Sequence, residues 1–252
     1  MALATLKYYS EILGMQTEVY VILPQKSTAG EIGVDNGGKK EAYKTLFLLH
    51  GLSDDHTIWL RRTSIERYAA AYGLCVVMPG AQRSYYCDMK YGLRYYTAIA
   101  KELPNVIAEY FPVSDKREDH FVAGLSMGGY GAVKMALRES GYFAAGAGLS
   151  SAADMRMRLD RPMMAPIFGE PPVLPEDDDL FALAERHQTD AQKPRLYLGV
   201  GTEDGLYGES VRLRDHLKKT GYDVTYRESH GNHNWEFWDE YIQYVLAWLM
   251  NP

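Results

Sequence analysis

The run Gly124-Leu125-Ser126-Met127-Gly128 sets a serine between two glycines, each two residues away. It follows the apolar stretch HFVA (120–123) and opens the helix-like stretch GGYGAVKMALRES (128–140). Strand, sharp turn and helix in that order form the setting of a nucleophile elbow. A turn that tight crowds backbone against both flanks of the serine, so side chains two positions away must be nearly absent. The helix that follows aims its positive end at the hydroxyl. A glycine-rich turn capped by a serine would carry the same letters, but the flanking elements favour a nucleophile. The chemistry implied is acyl transfer through a covalent acyl-enzyme.

A serine hydroxyl needs a base to take its proton and an acid to orient that base, and after an elbow of this kind the chain order is Ser, then Asp or Glu, then His. Four histidines follow Ser126. His187 and His216 read as surface residues, whereas His230 and His233 share the turn Ser229-His230-Gly231-Asn232-His233-Asn234 between the last expected strand and the last helix. One of these two is expected to be the base. The acid should follow the preceding strand, RLYLGV, where Glu203 and Asp204 are both in range. An oxyanion hole needs two backbone N–H groups. Met127, the residue after the nucleophile, supplies one, and the loop opened by Leu48-Leu49-His50-Gly51-Leu52-Ser53 is suited to supply the other.

The elements that must position these groups can be read from short apolar runs. Candidate strands are Thr17–Leu23, Thr45–His50, Leu74–Met78, His120–Ala123, Ala145–Leu149, Arg195–Val200 and Asp223–Ser229. Several are continuously apolar, as expected of strands covered by helices on both faces. The first alternates more and reads as an antiparallel edge strand. Candidate helices begin at Thr63, with Glu66 completing a capping box and Gly73 as the stop. Others run over Tyr95–Tyr110, kinked or interrupted at Pro104, and over Met127–Ser140, Glu209–Thr220 and Trp235–Met250. Strands alternating with helices imply an α/β domain with a doubly wound, mostly parallel sheet and helices on both faces. Two stretches break the rhythm. Pro24–Tyr43 is a glycine-rich polar loop, expected to be mobile, and Asp154–Asp179 is a Met-, Pro- and acid-rich flap over the carboxyl edge of the sheet.

Composition narrows the field. A chain of 252 residues suits one domain, 1–252. A net charge of −6 excludes an electrostatic nucleic-acid footprint, and no apolar run approaches the ~20 residues of a membrane span. The opening MALATLKYYSEILG lacks the marks of a signal peptide. Cys75 lies in an apolar run and Cys87 in a polar, Tyr-rich loop, so the two are not expected to pair, and a reducing, cytoplasmic setting is expected. His50, Asp54, Asp55 and His56 lack the spacing of a helical zinc site, and no G-x-G-x-x-G opens a βαβ unit; neither metal nor cofactor is expected. Trp59 and the Tyr-rich stretch Tyr85–Tyr96, Tyr86 among them, are candidate walls of a substrate pocket, or core packing.

The blocks FLLHGLSDDHTIWLRRTSIERY, YGLRYYTAIAKELPNVI, FVAGLSMGGYGAVKMAL, GTEDGLY and HGNHNWEFWDEYI resemble the bacterial tributyrin-esterase group of the esterase D superfamily, which has the α/β-hydrolase fold. S-formylglutathione hydrolases, feruloyl and acetylxylan esterases and mycolyltransferases are its cousins. The resemblance runs from Tyr8 to Trp248. It implies Ser126 as nucleophile, Asp204 as acid, His233 as base, and the Leu52 and Met127 amides as oxyanion donors. It further implies hydrolysis of a small-molecule ester without cofactor, in a family that often forms dimers or tetramers. Short acyl chains, acetyl to butyryl, are expected because little length is left over for a helical cap and no amphipathic lid helix is apparent. One departure stands out: S-formylglutathione hydrolases follow the His-Gly or Ser-Gly turn with Leu-Thr-Cys, whereas here Leu52-Ser53-Asp54 follows. Acyl transfer to an alcohol and a binding role on an inactive scaffold are the remaining alternatives.

Overall fold

In the computed structural model, residues 1–25 and 42–251 are described. Of the loop expected to be mobile between Pro24 and Tyr43, residues 26–41 lie outside the described residues. The strands are β1 (Ala2–Ser10), β2 (Met15–Leu23), β3 (Thr45–Leu49), β4 (Cys75–Pro79), β5 (His120–Leu125), β6 (Ala145–Leu149), β7 (Arg195–Gly201) and β8 (Val224–Ser229). They form one sheet in the order β1-β2-β4-β3-β5-β6-β7-β8. From β4 to β8 all neighbours are parallel, whereas β1–β2 and β2–β4 are antiparallel.

The strand expected at Thr17–Leu23 is antiparallel but not at the edge. An additional strand, β1, pairs with it along its whole length, from Ala2↔Leu23 to Ser10↔Met15, and is itself the edge. Strands β3 to β6 are buried at every position. In β3, Phe47 and Leu49 enter one core while Leu46 and Leu48 enter the other, the period of two that a doubly covered strand requires.

The helices are α1 (Ile58–Arg62), α2 (Ile65–Ala70), α3 (Tyr95–Thr97), α4 (Leu103–Tyr110), α5 (Met127–Arg138), α6 (Ala165–Phe168), α7 (Leu180–Arg186), α8 (Tyr207–Lys219) and α9 (Trp235–Met250). One core packs α1, α2 and α9 on the sheet; the other packs α3 to α5, α7 and α8. The expected capping box is replaced by a different bond. Thr63 Oγ1 accepts from the Ile65 N–H at 3.1 Å and donates to the Trp59 carbonyl at 2.6 Å, joining α1, which was not expected, to α2. The expected interruption near Pro104 is a π-helical turn, Ala98–Glu102, between α3 and α4. It shifts the backbone where proline offers no N–H.

The 154–179 flap consists of short 3₁₀ turns and α6. Buried pairs fix its ends. The Arg158 guanidinium grips Glu209 of α8 with two bonds of 2.8 Å, and Lys134 of α5 meets Asp178 at 2.7 Å. Lys134 also lies 3.0 Å from Cys87 Sγ, so Cys87 is a buried residue and not part of a polar loop surface. Both cysteines are free. No helix among the described residues is long and apolar enough to cross a membrane.

Candidate active site

Ser126 stands between β5 and α5 with φ +54° and ψ −116°. That strained backbone is held because its N–H donates to the Leu149 carbonyl at 2.8 Å and its own carbonyl accepts from Tyr130 and Ala152. The flanking glycines are sterically required: a Cβ on Gly124 would be driven into the Gly128 carbonyl, and one on Gly128 would stand 2.5 Å from the Leu49 oxygen.

Three side chains from three loops meet here. His233 Nε2 lies 3.1 Å from Ser126 Oγ, and His233 Nδ1 lies 2.9 Å from Asp204 Oδ2. The Asp204 side chain is wholly buried while that of His233 is about a third exposed. The other Asp204 oxygen accepts the Leu206 N–H at 2.8 Å. Burial alone would raise the Asp204 pKa, but the hydrogen bonds from His233, the Leu206 amide and the Ser150 hydroxyl outweigh it and hold the carboxyl below its ordinary value. Ser150, buried and at φ +47°, also accepts from Trp238 Nε1 at 3.1 Å. The Trp238 ring meets the His233 imidazole edge to face at 4.8 Å, so one indole touches the histidine and, through Ser150, its carboxylate.

The second candidates make a separate pair. His230, 93% exposed, lies 2.7 Å from Glu203 through Nδ1, and the other Glu203 oxygen accepts the Gly231 N–H at 2.5 Å. Of the two acids, only Asp204 reaches His233 among the described residues. His187 and His216 lie elsewhere, bonded to Asp190 and to the Phe181 carbonyl.

The loop after β3 is tied down carbonyl by carbonyl. Trp59 Nε1 donates to Leu49 O at 3.1 Å, Tyr86 OH to His50 O at 3.1 Å, and His50 Nδ1 to Gly51 O at 2.7 Å. His50 Nε2 accepts the Ala81 N–H at 2.8 Å. Burial pushes the His50 pKa down, so the ring is neutral and its partners fix the tautomer. In a trans peptide the Leu52 N–H points away from the Gly51 carbonyl. It has no acceptor among the described residues. Met127 opens α5, where a helix offers its N–H no acceptor.

The family model described as "Putative esterase" matches residues 10–249. The chain belongs to this esterase family. It is 31% identical to an acetyl esterase of Caldicellulosiruptor saccharolyticus, over 99% of this chain and 98% of that one. Among solved structures, it is similar to the fluorophosphonate-binding serine hydrolase F of Staphylococcus aureus, at 33% identity and a TM-score of 0.90 over 100% and 99% of the two chains. It is also similar to the S-formylglutathione hydrolase FrmB of Staphylococcus aureus, at 32% identity and a TM-score of 0.86 over 99% and 100%. The fold is that of the α/β-hydrolases, and the protein is a carboxylic ester hydrolase of the serine type.

Two residues of this esterase are placed differently from the pocket-wall reading. Trp59 is 1% exposed and Tyr86 0%. Neither presents surface to a substrate. Their polar ends are spent on Leu49 and His50, so they brace the loop from beneath and take the core-packing alternative. The spacing of an indole and a phenol carries no signal for that role, because both reach the loop across tertiary distance.

Proposed function

We propose that the esterase hydrolyses short-chain acyl esters, acetyl to butyryl, through a Ser126–His233–Asp204 triad and an acyl-enzyme. The observation that carries this reading is the unbroken relay at 2.9 and 3.1 Å from a buried carboxylate, through an imidazole open to one side, to a serine on a strained elbow. Ser126 attacks the ester carbonyl as His233 Nε2 takes its proton. Asp204 fixes the tautomer and stabilises the imidazolium. The Leu52 and Met127 amides receive the oxyanion at the N-terminus of α5. His233 then protonates the departing alcohol and activates the water that releases the acid. Residues 1–252 form one catalytic domain in this reading, and the free, buried thiols of Cys75 and Cys87 go with a cytoplasmic setting. The similarity to the acetyl esterase supports a small acyl group.

A second reading, thioester hydrolysis on the same residues, is favoured by the similarity to FrmB. The decisive experiment is labelling with a fluorophosphonate. The wild-type protein should gain one label at Ser126, and Ser126→Ala should gain none while its hydrolysis of p-nitrophenyl acetate falls by on the order of 10⁴. A variant keeping a tenth of the activity would exclude Ser126 as the nucleophile.

A further inference from the structure

A cleft of about 430 Å³ opens beside the oxyanion loop, between the β1–β2 hairpin and the turns that follow β3 and β4. Its polar wall includes Lys7, Gln16, Glu18, Asp54, Asp55 and His56. The charges on that wall are not balanced. Lys7 lies 3.3 Å from Glu18, and His56 lies 3.1 Å from the other Glu18 oxygen, so the ammonium and the imidazole are both engaged by one acid. Asp55 turns back on its own loop, accepting from the Thr57 N–H at 2.9 Å and the Thr57 hydroxyl at 2.6 Å. Asp54 is half-buried and forms no ion pair with a Lys, Arg or His side chain among the described residues; Arg62 attracts it only from a distance. His50, at the start of the same loop, is neutral, as its burial and hydrogen bonds require.

Asp54 also stands close to the chemistry. A Cβ built on Gly51 would stand 2.9 Å from Asp54 Oδ2 and 3.9 Å from Ser126 Cβ. Gly51 thus sits between the Asp54 carboxylate and the nucleophile, and that carboxylate is part of the cleft wall. A charge at that separation, partly shielded from water, acts on any charged group of the substrate on either side of the ester bond.

We propose that Asp54 selects substrates by charge: the esterase takes neutral or ammonium-bearing esters and rejects those carrying a carboxylate near the ester group. The inference rests on Ser126 as the reacting residue. It also bears on the thioester reading, since a thioester of an anionic thiol would be a poorer substrate than the same acyl group on a neutral or cationic thiol.

The test uses the intact protein and two charge series. On the alcohol side, kcat/KM is measured for phenyl acetate, 4-acetoxybenzoate and 3-acetoxy-N,N,N-trimethylanilinium. On the acyl side, it is measured for p-nitrophenyl butyrate and p-nitrophenyl hemisuccinate. In at least one series the wild-type enzyme should favour the cationic or neutral ester over the anionic one by about tenfold or more, after correction for intrinsic leaving-group reactivity. The ratio should shrink between low and high salt. Asp54→Asn should bring it towards one, whereas Asp54→Glu, which restores the charge, should retain it. The ratio within each enzyme is the readout, so a general loss of activity in a variant does not obscure it. The series that responds shows which half of the substrate lies by the cleft. Flat ratios in both series, or a ratio that survives Asp54→Asn, would overturn the proposal. Turnover of the neutral esters and fluorophosphonate labelling of Ser126 report separately on the catalytic reading.

Discussion

The Tyr86 hydroxyl donates to the backbone carbonyl of His50 across 36 residues of chain, at 3.1 Å and with no exposed surface on the tyrosine. Together with Trp59 on Leu49 O and His50 on Gly51 O, it holds three consecutive carbonyls, so the loop that would offer the Leu52 amide is fixed before substrate arrives. Such preorganisation acts on the transition state more than on substrate binding.

Removing the hydroxyl should therefore change kcat. We expect Tyr86→Phe to lower kcat about tenfold, or ~1.4 kcal/mol of transition-state stabilisation, with KM little changed. A buried carbonyl left without its donor costs about 1–3 kcal/mol, so the midpoint of thermal unfolding should also fall by several degrees. Steady-state kinetics on p-nitrophenyl acetate and a thermal melt check both. A raised KM with kcat unchanged would return Tyr86 to the pocket wall.

The two histidines of the 229–234 turn should separate sharply. His233→Ala should be about as damaging as loss of Ser126, because the members of such a unit are not additive. His230→Ala should cost less than about tenfold, since its imidazole is 93% exposed and is hydrogen-bonded to Glu203 and not to Ser126 or Asp204. Kinetics of the two variants on one ester suffice. The reverse ranking would mean that the turn rearranges and His230 takes the place of the base.

The legibility of this fold and site in the sequence followed where each signal was stored. The serine elbow is a local steric demand, so glycines at 124 and 128 announce it within five residues. The base and acid are two-body facts. Spacing left His230 with His233 and Glu203 with Asp204 as equal candidates, and only the family resemblance favoured one of each before the structure placed His233 and Asp204 together. The edge strand β1 was legible in principle, since its burial alternates along Leu6, Lys7, Tyr8 and Tyr9 and a left-handed Gly14 (φ +67°) closes the hairpin, but its edge position leaves it too polar for an apolar-run search. The support from Trp59 and Tyr86, and the Asp54 cleft, depend on which loops the topology brings together, and no periodicity encodes that.

The acids should separate as well, and pH should show why. Asp204→Asn keeps the shape of the site but favours the wrong imidazole tautomer, so kcat should fall by about 10³–10⁴; Glu203→Gln should be mild, because an amide still offers an oxygen to the Gly231 N–H. The folded-state pKa of Asp204 lies below its ordinary value, so its ionisation stabilises the fold fully above that ordinary value and is lost as pH falls through the depressed one. The difference in melting midpoint between the wild type and Asp204→Asn should therefore be steady from neutral pH down to about pH 5 and shrink below about pH 4. A gap that widens in acid would show that the carboxylate is not stabilised by its partners in the folded state.

The last prediction concerns acyl length. Each methylene received by an apolar pocket could contribute about 0.8 kcal/mol, so activity climbs with chain length only as far as the pocket extends. The flap offers little to extend it. Its methionines, which could line an apolar channel, are committed elsewhere: Met155 and Met164 are buried in the core, Met163 is half-buried against it beside Arg83, and Met157 is 58% exposed beside Arg212. Its helices are single turns, and its ends are fixed by Arg158–Glu209 and Lys134–Asp178, so it is not built to swing away as an amphipathic lid would. On p-nitrophenyl esters from C2 to C12, below any micelle threshold, kcat/KM should hold or rise from acetyl to butyryl and then drop by about tenfold or more by octanoyl. A companion variant, Glu209→Ala, removes one partner of a buried pair and should destabilise the fold by about 3 kcal/mol while loosening the start of the flap. If the flap sets the end of the pocket, the profile of that variant should broaden towards longer chains. A wild-type maximum at C8 or beyond would mean that an acyl channel runs past these residues, and that the length limit lies outside the flap.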